Sequence, residues 1–320
     1  MRLKNFISNL FVGLYAGGGV PRGGGSADAP TAKPSLVFVH AAWHGGWCWS
    51  VVARLLAERG YPSITLDLPG HGITARLPIA YTGQPQDVAK LATEVSPLAA
   101  LTLTDFCDAA RRVIRGLMAN GSGPVNMVDH SLGGATLSAV GEAVPELIHS
   151  LVYLTAFVPI KFDNVLAYLQ QANFATSEVP ALFTADPAQV GCARINHASA
   201  DVKYQARKKS VFYGDVDDET FKVVANLMTP DEPIYAFTTP VVATVPRCGS
   251  LRRAYVRCTA DLAIPIASQD EIISDADTFT PANIFFAKEP GDQSFFFCLQ
   301  SASARRRACF ARDAARRQAD

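Results

Sequence analysis

The 320-residue chain has no apolar run of the roughly 20 residues that a bilayer-spanning helix needs, so no membrane span is expected. It lacks an excess of either charge. Its 29 Lys and Arg balance 29 Asp and Glu, which gives no reason to expect a nucleic acid or an anionic membrane surface as partner. The seven cysteines (Cys48, Cys107, Cys192, Cys248, Cys258, Cys298 and Cys309) are odd in number, scattered and without a C-x-x-C pair, so neither a zinc site nor a disulfide framework follows. No internal repeat is visible. What is present is 49% hydrophobic content over a length that can bury one large core, suited to a single domain carrying an inserted subdomain.

The first 33 residues read as a leader. Arg2 and Lys4 precede an apolar stretch from Phe6 to Ala16, and Ala27-Asp28-Ala29 has the small residues of a cleavage site, as in an export signal. Ser8 and Asn9 interrupt that stretch and a long Gly-rich linker follows, as in a disordered leader. A periplasmic or secreted location follows from the first reading and a cytoplasmic one from the second.

Beyond the leader, strands and helices alternate. Leu36-Val37-Phe38-Val39 is a fully apolar strand of the kind buried inside a parallel sheet. Val51, Val52, Leu55 and Leu56 mark one face of a helix stopped by Gly60, and Ser63 to Asp67 supplies the next strand. Thr104 can cap a helix with Ala109, Val113, Ile114 and Leu117 on one face, ended by Asn120-Gly121. Further strands are expected at Pro124 to Val128, Ile148 to Leu154, Ala254 to Cys258 and Ile284 to Ala287, with a helix over Gly133 to Ala143. This alternation predicts an α/β fold with a doubly wound, mostly parallel sheet. Between Val158 and Val245 the rhythm breaks into short segments punctuated by Pro180, Pro187, Pro230, Pro233 and Pro240. The expected organisation is therefore a core over 34–157 and 246–288, a helical cap over 158–245, and an aberrant tail over 289–320. The cap would lie over the carboxyl edge of the sheet, where such folds bind ligands.

The richest motif is Val128-Asp129-His130-Ser131-Leu132-Gly133-Gly134, a serine between an apolar strand and a helix of small residues. A nucleophile elbow, G-x-S-x-G, needs this setting: a sharp turn lifts the serine Oγ clear of the sheet, and small neighbours let strand and helix pass closely. Asp129 stands where the first glycine of that pattern belongs, bringing a carboxylate into the crossing and charge close to the nucleophile. Without its strand and helix the motif would be only a Ser-Gly turn.

The loop from His40 to Trp49 (HAAWHGGWCW), the run Asp67-Leu68-Pro69-Gly70-His71-Gly72, the stretch from Tyr213 to Pro233 and the segment from Tyr255 to Asp261 and Gln269 resemble one branch of the α/β-hydrolases. That branch contains plant methylesterases, hydroxynitrile lyases and bacterial esterases, some acting on pyrethroids. The likeness runs from about Leu36 to Ala287. It implies Ser131 as nucleophile, Asp261 as the acid that orients a base, and the backbone N–H groups of Ala42 and Leu132 as oxyanion donors. It also implies a small-molecule ester substrate and no cofactor or metal, and it leaves the oligomeric state open. Ala41 stands where the branch has glycine. Trp47 and Trp49 read as packing residues; Trp43 is a candidate for the pocket wall.

The base is missing. His40, His44, His71, His130, His149 and His197 all precede Asp261, whereas the branch carries its histidine after the acid. Each of the six reads as structural. In place of a Thr-Ser-His-Ser-like loop the chain has Glu289-Pro290-Gly291-Asp292-Gln293-Ser294-Phe295 and then a tail rich in arginine and alanine. That tail reads as a basic binding segment, a solvated end or the product of a shifted reading frame. Permitted codons for Glu289 to Phe295, read one base later, encode SLETSHS, and the following residues can encode an apolar-patterned segment.

These observations favour a serine carboxylester hydrolase for small or medium apolar esters, impaired as written. A non-catalytic ligand-binding relative is the alternative from another class. A hydroxynitrile lyase is disfavoured because even the shifted frame lacks the lysine that follows the histidine in those enzymes.

Overall fold

The computed structural model describes residues 33–288; the expectations for a leader and for the 289–320 tail fall outside them. Eight strands are described: β1 (Leu36–Val39), β2 (Ser63–Thr65), β3 (Val125–Ser131), β4 (Ile148–Ala156), β5 (Cys192–Arg194), β6 (Asp231–Pro233), β7 (Arg252–Val256) and β8 (Phe286–Lys288). Six form one sheet in the order β2-β1-β3-β4-β7-β8, and every pairing in it is parallel. Parallel neighbours need crossovers, and the crossover helices cover the sheet. The central strands are accordingly apolar: Leu36–Val39 is wholly buried, as are Val125, Met127, Leu151 and Val152. Burying each such side chain contributes about 1.5–3 kcal/mol.

The helix Leu103–Ala119 follows the expected periodicity but starts earlier than Thr104. Thr102 is the cap because Asp105 completes a reciprocal box with it: the Asp105 carboxylate accepts from Thr102 N–H at 2.8 Å while Thr102 Oγ1 accepts from Asp105 N–H at 3.4 Å. The seventh strand covers Arg252–Val256, two residues before the expected register, and the eighth starts at Phe286 rather than Ile284. The helix Ile266–Phe279, which crosses from β7 to β8, had not been expected.

Between β4 and β7 lie several short helices, two longer ones (Val202–Tyr213 and Asp218–Leu227, capped by Asp201 and Asp217), and the antiparallel pair β5–β6. A buried ion pair joins the two strands of that pair, and the same guanidinium fastens them to the segment around Leu91 and Glu94. Arg194 Nε and Nη2 donate to the two oxygens of Asp231 at 2.6 and 2.7 Å, while Nη1 donates to the carbonyls of Leu91 and Glu94.

Candidate active site

Strand β3 ends at Ser131, and the helix Gly133–Ala143 begins two residues later. The turn between them is tight enough to dictate its composition. A Cβ on Gly134 would fall on the Phe157 carbonyl oxygen, and one on Gly133 would lie 2.8 Å from the His40 carbonyl oxygen. Ser131 itself has φ +56°, a left-handed backbone that a serine adopts at a cost of about 1–3 kcal/mol. Among the described residues the other non-glycine positions with positive φ are Trp43 and Thr155. All three belong to one site: Trp43 and Ser131 line its cavity and Thr155 binds Asp261.

The loop after β1 supplies the facing wall. Its shape is set by histidines whose tautomers follow from their partners. His40 Nε2 accepts from Leu68 N–H at 3.1 Å, so its Nδ1 carries the proton and donates to the Ala41 carbonyl at 2.8 Å. Burial keeps this ring uncharged, its pKa far below the ordinary histidine value. His44 likewise donates from Nδ1 to the Ala42 carbonyl at 2.7 Å, and its Nε2 takes the Tyr213 hydroxyl at 2.7 Å. Burial lowers its pKa to about 4. His71 is different because both ring nitrogens face acceptors, Pro69 O at 3.1 Å and Glu232 Oε2 at 2.9 Å. Burial is the largest single influence and opposes its charge, but the Glu232 carboxylate, the Pro69 carbonyl and Asp67 together outweigh it and raise the pKa. Glu232 Oε2 also accepts from the Trp43 N–H at 2.9 Å, so one carboxylate ties the loop after β1, the loop after β2 and β6 together. No local sequence signal exposed this pairing, which joins residues more than 150 positions apart.

Asp261 lies in the loop after β7 and lines the same cavity as Ser131. Its Oδ1 accepts from the N–H groups of Ala263 and Ile264 at 2.7 and 3.0 Å, and its Oδ2 accepts from Thr155 Oγ1 at 2.6 Å. Desolvation raises its pKa, and these three donors work against that rise. Thr155 went unnoticed in the sequence, where it is one residue of an apolar strand. The carboxamide of Gln269, on the unexpected helix, holds the base of the loop through Cys258 N–H, Cys258 O and Ile264 O.

The cavity encloses about 810 Å³ including its open mouth. Ala42 and Leu132 line it beside Ser131, and the rest of the wall is largely aromatic: Trp43, Phe157, Phe174, Phe183, Phe212 and Phe237. Trp43 thus faces the pocket, with its indole N–H donating to the Ala193 carbonyl at 2.8 Å, whereas Trp49 is buried against Phe38. No lysine or arginine lines the cavity among the described residues.

Two histidines line this cavity, His44 and His130. The lone pair of His44 Nε2 is taken by Tyr213. His130 precedes Ser131 in β3, and burial holds its pKa far below the ordinary value. Burial raises the carboxyl pKa of Asp129, which is packed under the turn, well above its ordinary value and so favours its neutral form.

The profile of the alpha/beta hydrolase family matches residues 36–314. Salicylic acid-binding protein 2 of Nicotiana tabacum is 28% identical over 232 residues, covering 72% of this chain and 80% of that protein. Methylesterase 18 of Arabidopsis thaliana is 24% identical over 285 residues, covering 84% of this chain and 97% of that protein. Among solved structures, a pyrethroid hydrolase from Sphingobium faniae JZ-2 superposes with a TM-score of 0.61 at 21% identity, covering 88% of this chain and 99% of that one. A mutant of polyneuridine aldehyde esterase gives a TM-score of 0.61 at 18% identity over 81% of this chain and 91% of that one. At these identities the superpositions speak for the fold.

Proposed function

The chain belongs to the alpha/beta hydrolase family, its relatives include esterases, and on that premise we propose that it is a serine carboxylester hydrolase for small or medium apolar esters. The observation that carries this reading is Ser131, held at φ +56° between β3 and its helix on the wall of a cavity shared with Asp261 and Ala42. In this reading Ser131 Oγ attacks the ester carbonyl and its proton passes to a base. The carbonyl π pair moves to the oxygen, which the N–H groups of Ala42 and Leu132 stabilise. Collapse expels the alkoxide, which takes the proton, and water then releases the acid from the acyl-enzyme. The segment 158–245 acts as a cap whose aromatic side chains select apolar acyl or alkyl groups.

The chain has no histidine after Asp261, so its turnover is weak. Oxyanion donors and binding alone leave about 10³ to 10⁴ over the reaction in water. The test is hydrolysis of a short-chain aryl ester with mass spectrometry of the quenched protein. A slow turnover with an acyl group on Ser131, both lost in Ser131→Ala, is the expected result. Undiminished hydrolysis in Ser131→Ala would refute it.

The absence of a histidine after Asp261 also favours a second reading, a ligand-binding relative that no longer turns over. An aromatic ester that binds saturably and is recovered intact, with Ser131 unmodified, would select that reading.

A further inference from the structure

We infer that Glu232 is a positioning residue for the oxyanion site: its carboxylate holds the peptide that follows Ala42 and so keeps the Ala42 N–H aimed at the carbonyl under attack. This rests on the reading of Ser131 as nucleophile and of Ala42 as oxyanion donor. The N–H of Ala42 belongs to the planar trans peptide it shares with Ala41, so it points opposite to the Ala41 carbonyl. That carbonyl accepts from His40 Nδ1 at 2.8 Å and from the His44 N–H at 3.3 Å, which fixes the peptide on one side of Ala42. The peptide on the other side is gripped at both ends. Its oxygen, on Ala42, accepts from His44 Nδ1 at 2.7 Å, and its N–H, on Trp43, donates to Glu232 Oε2 at 2.9 Å.

These anchors are of two kinds. His40 and His44 belong to the loop itself and move with it. Glu232, on β6, and Thr229, whose N–H donates to the Trp43 carbonyl at 2.9 Å, tie the loop to a frame outside it. Glu232 is in turn immobilised: it is buried, His71 Nε2 lies 2.9 Å from the same Oε2, and its neighbour Asp231 is clamped by Arg194. It also lines, with Ala42 and Leu132, one narrow cleft, so it borders both residues that supply the oxyanion donors.

Trp43 needs that hold. Its φ of +61° is a left-handed conformation that a residue with a Cβ keeps only where its surroundings impose it. Without an acceptor for its N–H the torsion can relax to negative values, and rotation about the Trp43 N–Cα bond turns the peptide that adjoins Ala42. A carboxylate retained only as a partner for His71 would need no contact with Trp43.

The test is single-turnover acylation of the full-length chain by a short-chain aryl ester over a range of concentrations, read as released aryl alcohol and as the mass of the quenched protein. Glu232→Ala should lower the limiting acylation rate of Ser131 about tenfold or more, since losing an oxyanion donor outright costs about 10² to 10³ in rate and misaiming one costs part of that. The half-saturating ester concentration should stay within about threefold, the mark of an interaction made in the transition state. Two conservative variants separate reach from charge. Glu232→Gln keeps an oxygen in place for the Trp43 N–H and gives up the charge beside His71, whereas Glu232→Asp keeps the charge and draws it back by one methylene. The glutamine variant should acylate within about threefold of the unaltered chain and faster than the aspartate variant. An unchanged limiting rate in Glu232→Ala, or a loss confined to the half-saturating concentration, overturns the positioning role and leaves the nucleophile reading intact, since the acyl group is still found on Ser131. If Glu232→Ala fails to fold, the order of the other two decides. An aspartate variant as fast as the glutamine one, or faster, makes Glu232 only a charge partner of His71 and overturns the inference. If Ser131 of the unaltered chain carries no acyl group, the nucleophile reading fails and this inference fails with it.

Discussion

Asp129 and Asp231 are both sealed from solvent, one beneath the turn that carries Ser131 and the other where β5–β6 joins the rest of the molecule. Their surroundings are opposite. Asp231 receives two parallel N–H bonds from Arg194, whose Nη1 donates to two carbonyls, so both charges in that joint have a partner. Neither oxygen of Asp129 has a well-formed hydrogen bond, and the backbone N–H groups of Leu154 and of Asp129 itself offset only part of the cost of its burial. Equal burial therefore yields a strut in one place and a load in the other. What decides is whether the fold brings a donor to the carboxylate, and no window of sequence around either aspartate reveals that.

The largest effect should come from removing the strut. Arg194→Met leaves Asp231 buried without its counter-charge, and the loss is expected at about 3–5 kcal/mol. Adding Asp231→Leu should restore most of it, because a well-packed apolar pair avoids the desolvation penalty. Urea unfolding of both variants checks this, and a loss below about 1 kcal/mol for Arg194→Met would mean that water already compensates the pair.

Removing the load should do the reverse. Asp129→Gly is expected to stabilise the protein by about 1–3 kcal/mol, the scale of relieved overpacking or local strain. A pH series sharpens the point. The folded pKa of Asp129 is raised, so between the ordinary carboxyl value near 3.9 and that raised value the folded state holds a proton that the unfolded chain has released. Stability contributed by this group is complete below about pH 3.9 and falls as pH rises through that window. The glycine variant should lack this part of the slope. Superimposable pH–stability curves for the two proteins would place the proton elsewhere.

The smallest effect is expected from a hydroxyl. Tyr213→Phe removes the donor to His44 Nε2 in an otherwise neutral pair, at about 1 kcal/mol. Thermal melts that detect no change would show that His44 finds water instead.

Much of the sheet was legible because its signals are local. Leu36–Val39 is apolar without interruption, the strand before Ser131 is bounded by glycine and proline, and Gly133–Ala143 is small and helix-compatible throughout. The start of Leu103–Ala119 was misplaced by two residues because its cap depends on Asp105, not on the first threonine next to the apolar face. The helix Ile266–Phe279 escaped because its buried residues include Ser268 and Gln269, so no apolar stripe advertises it. Among the candidate site residues, Ser131 stands out through turn chemistry and Asp261 through likeness to other sequences and its place just past a strand. Thr155 gave no sign, and His71 and Glu232 stood in runs that resemble the family without revealing their pairing, since each works through a partner about 100 or more residues distant.

The left-handed backbone at Ser131 bears on what the chain has kept. Glycine is the residue that such a turn would choose for itself, since it adopts positive φ without the clash of a Cβ. A fold released from any need for a hydroxyl at this point could drift to glycine and become more stable in doing so. Serine at this corner is therefore an expense that folding alone does not justify, and the proposed role of its oxygen as nucleophile would account for it.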